Sequence, residues 1–327
     1  FLLRHQLLSL SGIMTEFSKG RGCARMRLLI VRNNSNEDAV KASDELADYL
    51  NEHKIDNFVC GSLELPRLPQ MPLIPEQRAT NLRFHGKPIN MVVVFGGDGT
   101  VLRAARMTGT SGVPILGINY GHLGFLSNPR TDGAIAMVQA ALEGKVHREE
   151  RANLHIDITY YHDEHKDLTG AGSMLTESYF ALNELAITRG DNASMLRVAA
   201  RIDHRSSLNY MGDGLIISTP TGSTAYNLSV GGPVLDPELA GWVLSPIAAH
   251  SLSMRPLVVK DSSTIEISVE TRADSFRVSA DGKPVSLNVS DRLIISKAPY
   301  TVKLIQQTQH AFADTLREKL GMGTTLV

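Results

Sequence analysis

Ile89-Asn90-Met91-Val92-Val93-Val94-Phe95-Gly96-Gly97-Asp98-Gly99-Thr100 is the stretch whose reading decides the fold. The run from Ile89 to Val94 has the continuous hydrophobicity of a strand buried on both faces of a parallel sheet. Leu102 to Met107 then reads as the start of a helix. Three glycines and one carboxylate thus occupy a strand-to-helix turn, the place where open α/β sheets bind their ligands. Glycine permits φ > 0 and close approach of the backbone to a phosphate. Asp98 is held in the same turn as a candidate base or metal contact. The alternative is a tight turn whose Asp caps the following helix.

Outward from this turn the α/β pattern continues. Arg27 to Val31 and Asp56 to Val59 read as strands, and Glu37 to Glu52 as an amphipathic helix with Val40, Leu46, Ala47 and Leu50 apolar. Pro66, Pro69, Pro72, Pro75 and Pro88 mark residues 60–88 as a loop. A strand at Val113 to Ile118 and a helix at Asp132 to Leu142 complete a helix-covered parallel sheet. Near residue 150 the pattern changes to alternation: Asn153 to Tyr161, Tyr179 to Thr188, Leu196 to Ile202, Thr264 to Val269, Phe276 to Ala280, Leu293 to Ser296 and Thr301 to Gln306. Asp281-Gly282 is a turn signal. Helical patterns in this half are confined to Gly222 to Val230, Glu238 to Leu244 and Gln309 to Leu320; Phe312, Leu316 and Leu320 predict that the last helix docks on the body. The expected fold class is an α/β N-terminal domain (parallel sheet with helices) followed by a C-terminal all-β domain. The expected divisions are a disordered extension at 1–26, an α/β domain at 27–150, a β-rich domain at 151–306 and a C-terminal helix and tail at 307–327.

The 327 residues suffice for two domains, and a net charge of −1 offers no electrostatic footprint for nucleic acid or a membrane surface. Cys23 and Cys60 make neither a disulfide framework nor a zinc site, which points to a reducing, cytoplasmic setting. No apolar run approaches bilayer-spanning length. Apolar Phe1 to Ile13 precedes basic Arg21 to Arg27, the reverse of a secretory signal; a mitochondrial transit peptide is the weaker alternative to a disordered extension with Met14 or Met26 as the start.

Three further constellations carry chemistry. Gly117-Ile-Asn-Tyr-Gly121-His-Leu-Gly124-Phe125 again follows a strand; Phe125 can pack on a planar ligand, or the segment is an ordinary loop with a buried Phe. Asn183-Glu184 lies within the apolar run Phe180 to Ile187. A Glu there is costly unless paired or facing a ligand, and adjacent strand residues share one ligand only at an edge or bend. Finally, Gly212-Asp213-Gly214-Leu-Ile-Ile-Ser-Thr-Pro220-Thr221-Gly222-Ser223-Thr224-Ala225-Tyr226-Asn-Leu-Ser229 has the composition of a strand ending at a helix N-terminus. Free N–H groups there favour anions, and the hydroxyls of Thr221, Ser223 and Thr224 add donors for sugar or phosphate. An ordinary hydroxyl-capped helix reads the same way. Neither a P-loop, nor a Gly-x-Gly-x-x-Gly fingerprint after the first strand, nor a Gly-x-Ser-x-Gly elbow is present. His162 and His165 belong to a charge run that reads as a solvated hairpin tip.

Together the Gly-Gly-Asp-Gly-Thr turn, the Gly-Ile-Asn-x-Gly-x-Leu-Gly-Phe loop, the Asn-Glu pair and the Asp213-to-Tyr226 segment resemble the NAD kinase family, in order and spacing, over roughly residues 27–320. Ser253-x-Arg255-Pro256 and Asp281-Gly282 resemble the family's C-terminal half. The resemblance implies an NAD kinase-like two-domain fold. It also implies transfer of the ATP γ-phosphoryl group to the 2′-hydroxyl of the adenosine ribose of NAD, and a homodimer or homotetramer. Asp98 matches the base or orienting group for that hydroxyl. Gly96, Gly97, Gly99 and Thr100 match the nucleotide-phosphate turn, and Phe125, Asn183, Glu184, Thr224, Ala225, Tyr226 and Ser229 match NAD-contacting positions. Asp213 matches a position that reaches a neighbouring subunit's ligand, and His122 stands where many members carry Arg. The expected cofactor is Mg²⁺ or another divalent cation, held mainly through the nucleotide phosphates; no dedicated metal motif is visible. ATP or polyphosphate as donor, and NAD or NADH as acceptor, stay open. A lipid kinase shares the Gly-Gly-Asp-Gly turn, and a catalytically silent nucleotide-binding protein is the other alternative.

Overall fold

The computed structural model describes residues 26–65, 82–121, 124–129, 133–166, 172–190, 194–307 and 312–323. The expected extension at 1–26 (bar Met26), most of the proline-rich loop, and His122 therefore lie outside the described residues.

Two compact units emerge. The first comprises the chain up to Arg67, Ala79–Glu149 and the return from Lys303; the second contains Glu150–Val302. In the first unit, β1 (Arg27–Arg32), α1 (Glu37–Glu52), β2 (Asp56–Gly61), the two-residue hairpin strands β3 (Arg83–Phe84) and β4 (Lys87–Pro88), β5 (Met91–Gly96), α2 (Asp98–Thr108), β6 (Ile115–Asn119) and α3 (Ala134–Leu142) follow in order. β2, β1, β5 and β6 lie side by side, all parallel. Every residue of β5 is buried, as a strand covered on both faces requires. α1 starts at Asn36, whose side chain accepts from the Ala39 N–H at 3.0 Å. Its Ala39, Leu46, Ala47 and Leu50 pack into the core with Ile30, Val93 and Met137. A Cβ at Gly117 would lie 3.0 Å from the Val101 side chain, so this glycine lets α2 settle directly on β6.

The second unit is built of antiparallel strands: β7 (His147–Lys166), β8 (Gly172–Ala181), β9 (Glu184–Arg189), β10 (Leu196–Ile202), β11 (Ser206–Gly212), β12 (Gly214–Ser218), a 3₁₀ turn (Thr221–Thr224), the single turn α4 (Tyr226–Ser229), β13 (Gly241–Ile247), β14 (Leu257–Lys260), β15 (Ile265–Glu270), β16 (Ser275–Ala280), β17 (Lys283–Asn288) and β18 (Arg292–Gln306). One sheet runs β11-β10-β15-β18 with β7 and β8 beyond, and the other runs β14-β13-β12-β9-β16-β17. Alternate residues form the core: Ile156, Val198, Ile267 and Leu293 from the first sheet; Ile187, Leu215, Trp242 and Phe276 from the second. The end of β18 belongs to the first unit, where Leu304 pairs in parallel with Ile115. The last helix, α5 (Phe312–Leu320), also falls in that unit.

Several elements differ from expectation. Glu238 to Leu244 is not helical: Trp242, Val243 and Leu244 are wholly buried in β13, an inner strand paired with β12 and β14. Two short strands expected at Leu293 to Ser296 and Thr301 to Gln306 form the single strand β18; Pro299 falls between its pairings at Ile295 and Leu304. α5 has no fully buried residue, so its apolar stripe is only half covered. Among the described residues no helix is long and apolar enough to cross a membrane.

Candidate functional site

The first cluster sits at the carboxyl ends of β5 and β6. Gly97 precedes α2 in extended conformation (φ −93°, ψ −174°), and Asp98 is the helix's first residue. The Asp98 side chain makes no cap for α2. Its carboxylate instead accepts the N–H groups of Phe125 at 2.5 Å and Leu126 at 3.1 Å, and the Ser127 hydroxyl at 3.3 Å. The capping alternative is thereby replaced by a bridge between the two glycine-rich loops. Gly124 makes the bridge possible, since a Cβ there would lie 1.9 Å from an Asp98 oxygen.

Of the two properties expected of glycine in this turn, positive φ is not used. Gly96, Gly97 and Gly99 are absent from the positive-φ positions. A Cβ at Gly97 or Gly99 would meet nothing within 4 Å, so these two leave open space above the first turn of α2. Gly96 is required by packing, for its Cβ would strike the Thr100 hydroxyl at 2.6 Å. Thr100 itself is buried. The open glycine surface and the first-turn N–H groups of α2 together form an approach for an anion.

The second loop is tied down by asparagines. Asn119 Oδ1 accepts from the Gly121 N–H at 3.0 Å, and the Asn36 side chain donates to the Tyr120 carbonyl at 2.8 Å. The buried Asn128 donates to the carbonyls of Gly117 at 3.0 Å and Ile305 at 2.8 Å. Phe125 is half-buried, with Lys319 Nζ of α5 4.5 Å from its ring centroid. That contact has the geometry of a cation–π pair.

The second cluster lies in the other unit. β8 ends at Ala181 and β9 begins at Glu184, so Asn183-Glu184 occupies the bend between two strands rather than the middle of one. Thr219, just past β12, clamps this bend: its hydroxyl donates to the Leu182 carbonyl at 2.6 Å and its N–H to the Asn183 carbonyl at 2.9 Å. A Cβ at Gly222 would lie 2.0 Å from the Asn183 oxygen, so the following turn can touch the bend only through glycine.

Burial sorts the long motif into scaffold and surface. The expected helix over Gly222 to Val230 is a 3₁₀ turn followed by one α-turn, stopped at Gly231 with φ +80°. Ser223 is wholly buried; its hydroxyl donates to the Pro220 carbonyl at 2.6 Å and accepts from the Leu235 N–H at 3.0 Å. Thr221 is buried beside the Arg151 guanidinium, 3.5 Å away. Of the three hydroxyls expected to meet sugar or phosphate, those of Thr221 and Ser223 are thus buried in the scaffold, and that of Thr224 donates to the Thr221 carbonyl at 3.2 Å. Asn227, also wholly buried, accepts the Ser245 hydroxyl at 2.6 Å and donates to the carbonyls of Ser223 and Pro233. Thr224 and Ala225 are half-buried, while Tyr226 and Ser229 are exposed. These four belong to the 3₁₀ turn and the α-turn that follows it. Asp213 is not among them: it lies at the opposite end of β12, about 20 Å of extended chain from Thr219, paired with Arg189 at 3.4 Å.

The described residues include no cluster of three or more His, Cys, Asp or Glu side chains suited to a metal ion. The side chains of His162 and His165 lie outside the described set.

Known proteins resolve what these two clusters belong to. The ATP-NAD kinase N-terminal domain matches residues 28–146, and the ATP-NAD kinase C-terminal domain matches residues 182–307. A curated NAD kinase of Bacteroides fragilis is 40% identical over 234 residues, covering 72% of this chain and 77% of the relative. The chain belongs to the NAD kinase family. A Heliobacterium modesticaldum NAD kinase is 32% identical over 295 residues, covering 90% of this chain and 98% of its own length. The yeast NADH kinase structure complexed with NADH shares the fold at a TM-score of 0.76, 23% identity, and 93% and 89% coverage of this chain and that one. An Archaeoglobus fulgidus NAD kinase in complex with ATP does so at a TM-score of 0.63, with 24% identity and 90% and 98% coverage. Asp98 and Phe125 fall in the N-terminal NAD kinase domain, and Asn183 to Ser229 in the C-terminal one.

Ser127, Asn128, Thr219 and Asn227 were not singled out as functional from the sequence. Asn227 and Thr219 stood inside a recognised motif; Asn128 carried no signal, because a lone Asn reveals its role only through the carbonyls it meets.

Proposed function

We propose that the chain phosphorylates the 2′-hydroxyl of the adenosine ribose of NAD with the γ-phosphoryl group of ATP, releasing NADP and ADP. The observation that carries this reading is the Asp98 carboxylate, immobilised by two main-chain N–H groups and a hydroxyl at the foot of an open glycine surface. Asp98 accepts the proton of the 2′-hydroxyl as the new O–P bond forms, then returns it to solvent. A positioned carboxylate in this role contributes about 10²- to 10⁴-fold. The amides of Gly97, Asp98 and Gly99 take the phosphates. Phe125 packs on a ring of the dinucleotide; Asn183 and Glu184 hold its polar groups, and Thr224, Ala225, Tyr226 and Ser229 contribute contacts from their exposed turn.

A divalent cation fits the donor set. Mg²⁺ keeps several waters and takes one or two carboxylates beside substrate phosphates, which suits a turn with Asp98 and no cage. Bound with the triphosphate, it neutralises phosphate charge. The same reading places the protein in the cytoplasm as a homodimer or homotetramer, with Asp213 meeting a neighbouring subunit's ligand.

Incubation with NAD, Mg²⁺ and either ATP or polyphosphate, read through an NADP-specific dehydrogenase, tests the reaction and its donor. NADP formation with at least one donor is expected. NAD binding without NADP from either donor would favour the silent nucleotide-binding alternative.

A further inference from the structure

Asp281 follows β16 in the turn that begins β17, 97 residues beyond Glu184, yet its carboxylate lies against the Asn183-Glu184 bend. One oxygen accepts the N–H groups of Asn183 at 2.8 Å and Glu184 at 3.2 Å, and the other accepts that of Leu182 at 2.9 Å. The Asp281 N–H in turn donates to the Glu184 carbonyl at 3.0 Å. Asp281 (φ +45°) and Gly282 (φ +78°) form the two-residue loop of the β16–β17 hairpin, a turn in which both positions take positive φ and Asp-Gly is favoured.

The bend is therefore gripped from two directions. Asp281 takes its N–H groups, while Thr219 takes its carbonyls at Leu182 and Asn183. Consecutive N–H groups converging on one point form a concave anion site. Here the chain's own carboxylate fills it, so main-chain polarity is spent on fixing the bend. The consequence falls on Asn183, the residue between the two strands. Its side chain is half-buried and its backbone is held at both N–H and C=O.

We infer that Asp281 is a positioning residue for dinucleotide binding: its carboxylate sets the backbone from which Asn183 and Glu184 address NAD. The inference rests on the proposed role of those two residues. It assigns Asp281 no contact with NAD and no part in the phosphoryl donor site.

The discriminating variants are Asp281→Asn and Asp281→Gly. Asn keeps the shape but turns one acceptor into an NH₂ group facing a main-chain donor. Gly removes the carboxylate while easing the positive φ, which separates the turn's conformation from its hydrogen bonds. NAD affinity by calorimetry, the steady-state constants for NAD and ATP, and thermal midpoint are measured for both variants and wild type. Both variants are expected to weaken NAD binding and raise KM for NAD about tenfold, the effect of one or two lost main-chain bonds. KM for ATP and kcat should stay within about twofold. Restoration of wild-type NAD affinity by Asp281→Gly would overturn the inference, because the carboxylate would then be dispensable. Equal losses in NAD and ATP constants with a lowered midpoint would overturn it too, as a general structural role. A wild type that neither binds nor phosphorylates NAD would remove the functional reading and this inference together; wild-type activity with unchanged variants removes this inference alone.

Discussion

Asp98 and Asp281 look alike in isolation. Each is half-buried, and each carboxylate receives main-chain N–H groups from a loop distant in sequence. Their surroundings differ. Asp98 stands on the first turn of an 11-residue helix beside two glycines that leave open space. Asp281 stands in a left-handed turn, with its oxygens directed into a bend that Thr219 grips from the other side. A main-chain clamp is thus no mark of catalysis. In one unit it aims a carboxylate at an open surface; in the other it uses the carboxylate to aim something else.

The sharpest way to break this comparison is Gly124→Ala. The added methyl would lie 1.9 Å from an Asp98 oxygen held in place by its clamp, so the carboxylate must leave its position. Turnover is expected to fall at least about 10²-fold, the lower end of a general base's contribution, with NAD affinity within about threefold. Retention of full turnover would mean that the carboxylate's position is irrelevant.

The mirror-image perturbation in the second unit is Gly222→Ala. Its methyl would strike the Asn183 carbonyl at 2.0 Å, a backbone atom that cannot rotate aside. Overpacking of this kind costs about 1–3 kcal/mol, measurable as a lower chemical-denaturation midpoint, and the strained bend should also weaken NAD binding. An unchanged midpoint would show that the bend is softer than its hydrogen bonds suggest.

Cys60 supplies the smallest and most local test. Burial, and secondarily the charge of Glu64, pushes its thiol up to about 11. The unfolded chain loses that proton first, so the contribution is fully present below about pH 9 and is lost as pH rises toward 11. At pH 8, in a Cys23→Ser background, alkylation should be on the order of 100-fold slower than in denatured protein, following the thiolate fraction. Because Cys60 belongs to the first unit, Asp281→Asn should leave that rate unchanged. Acceleration by the distant variant would mean that the carboxylate stabilises the whole chain and not only its own bend.

The legible and illegible parts of this chain divide along physical lines. β5 and α1 could be read from local pattern, a continuous apolar run and an amphipathic stripe; α1 formed at the expected residues, and β5 runs two residues further along, to Gly96. Glu238 to Leu244 misled because buried strands and buried helices share the same apolar run. The glycines of the turn were legible as glycines, but not the reason for each. Gly124 and Gly222 are explained by atoms that approach from another loop, Asp98 in one case and Asn183 in the other. Asp281 was visible only as a turn former, since the groups that define it lie 97 to 99 residues away. Side-chain-to-main-chain clamps leave little trace in local sequence. They appear once two segments are in place together.

The most direct test of the whole account is a comparison of wild type with Asp98→Asn, in NADP formation from NAD and ATP with Mg²⁺ and in NAD affinity by calorimetry. Wild type is expected to make NADP, whereas the variant loses most turnover, about 10²- to 10⁴-fold, and still binds NAD within a few-fold. Equal losses of binding and turnover would contradict it, and would place Asp98 with Asp281 among the residues that only hold a loop.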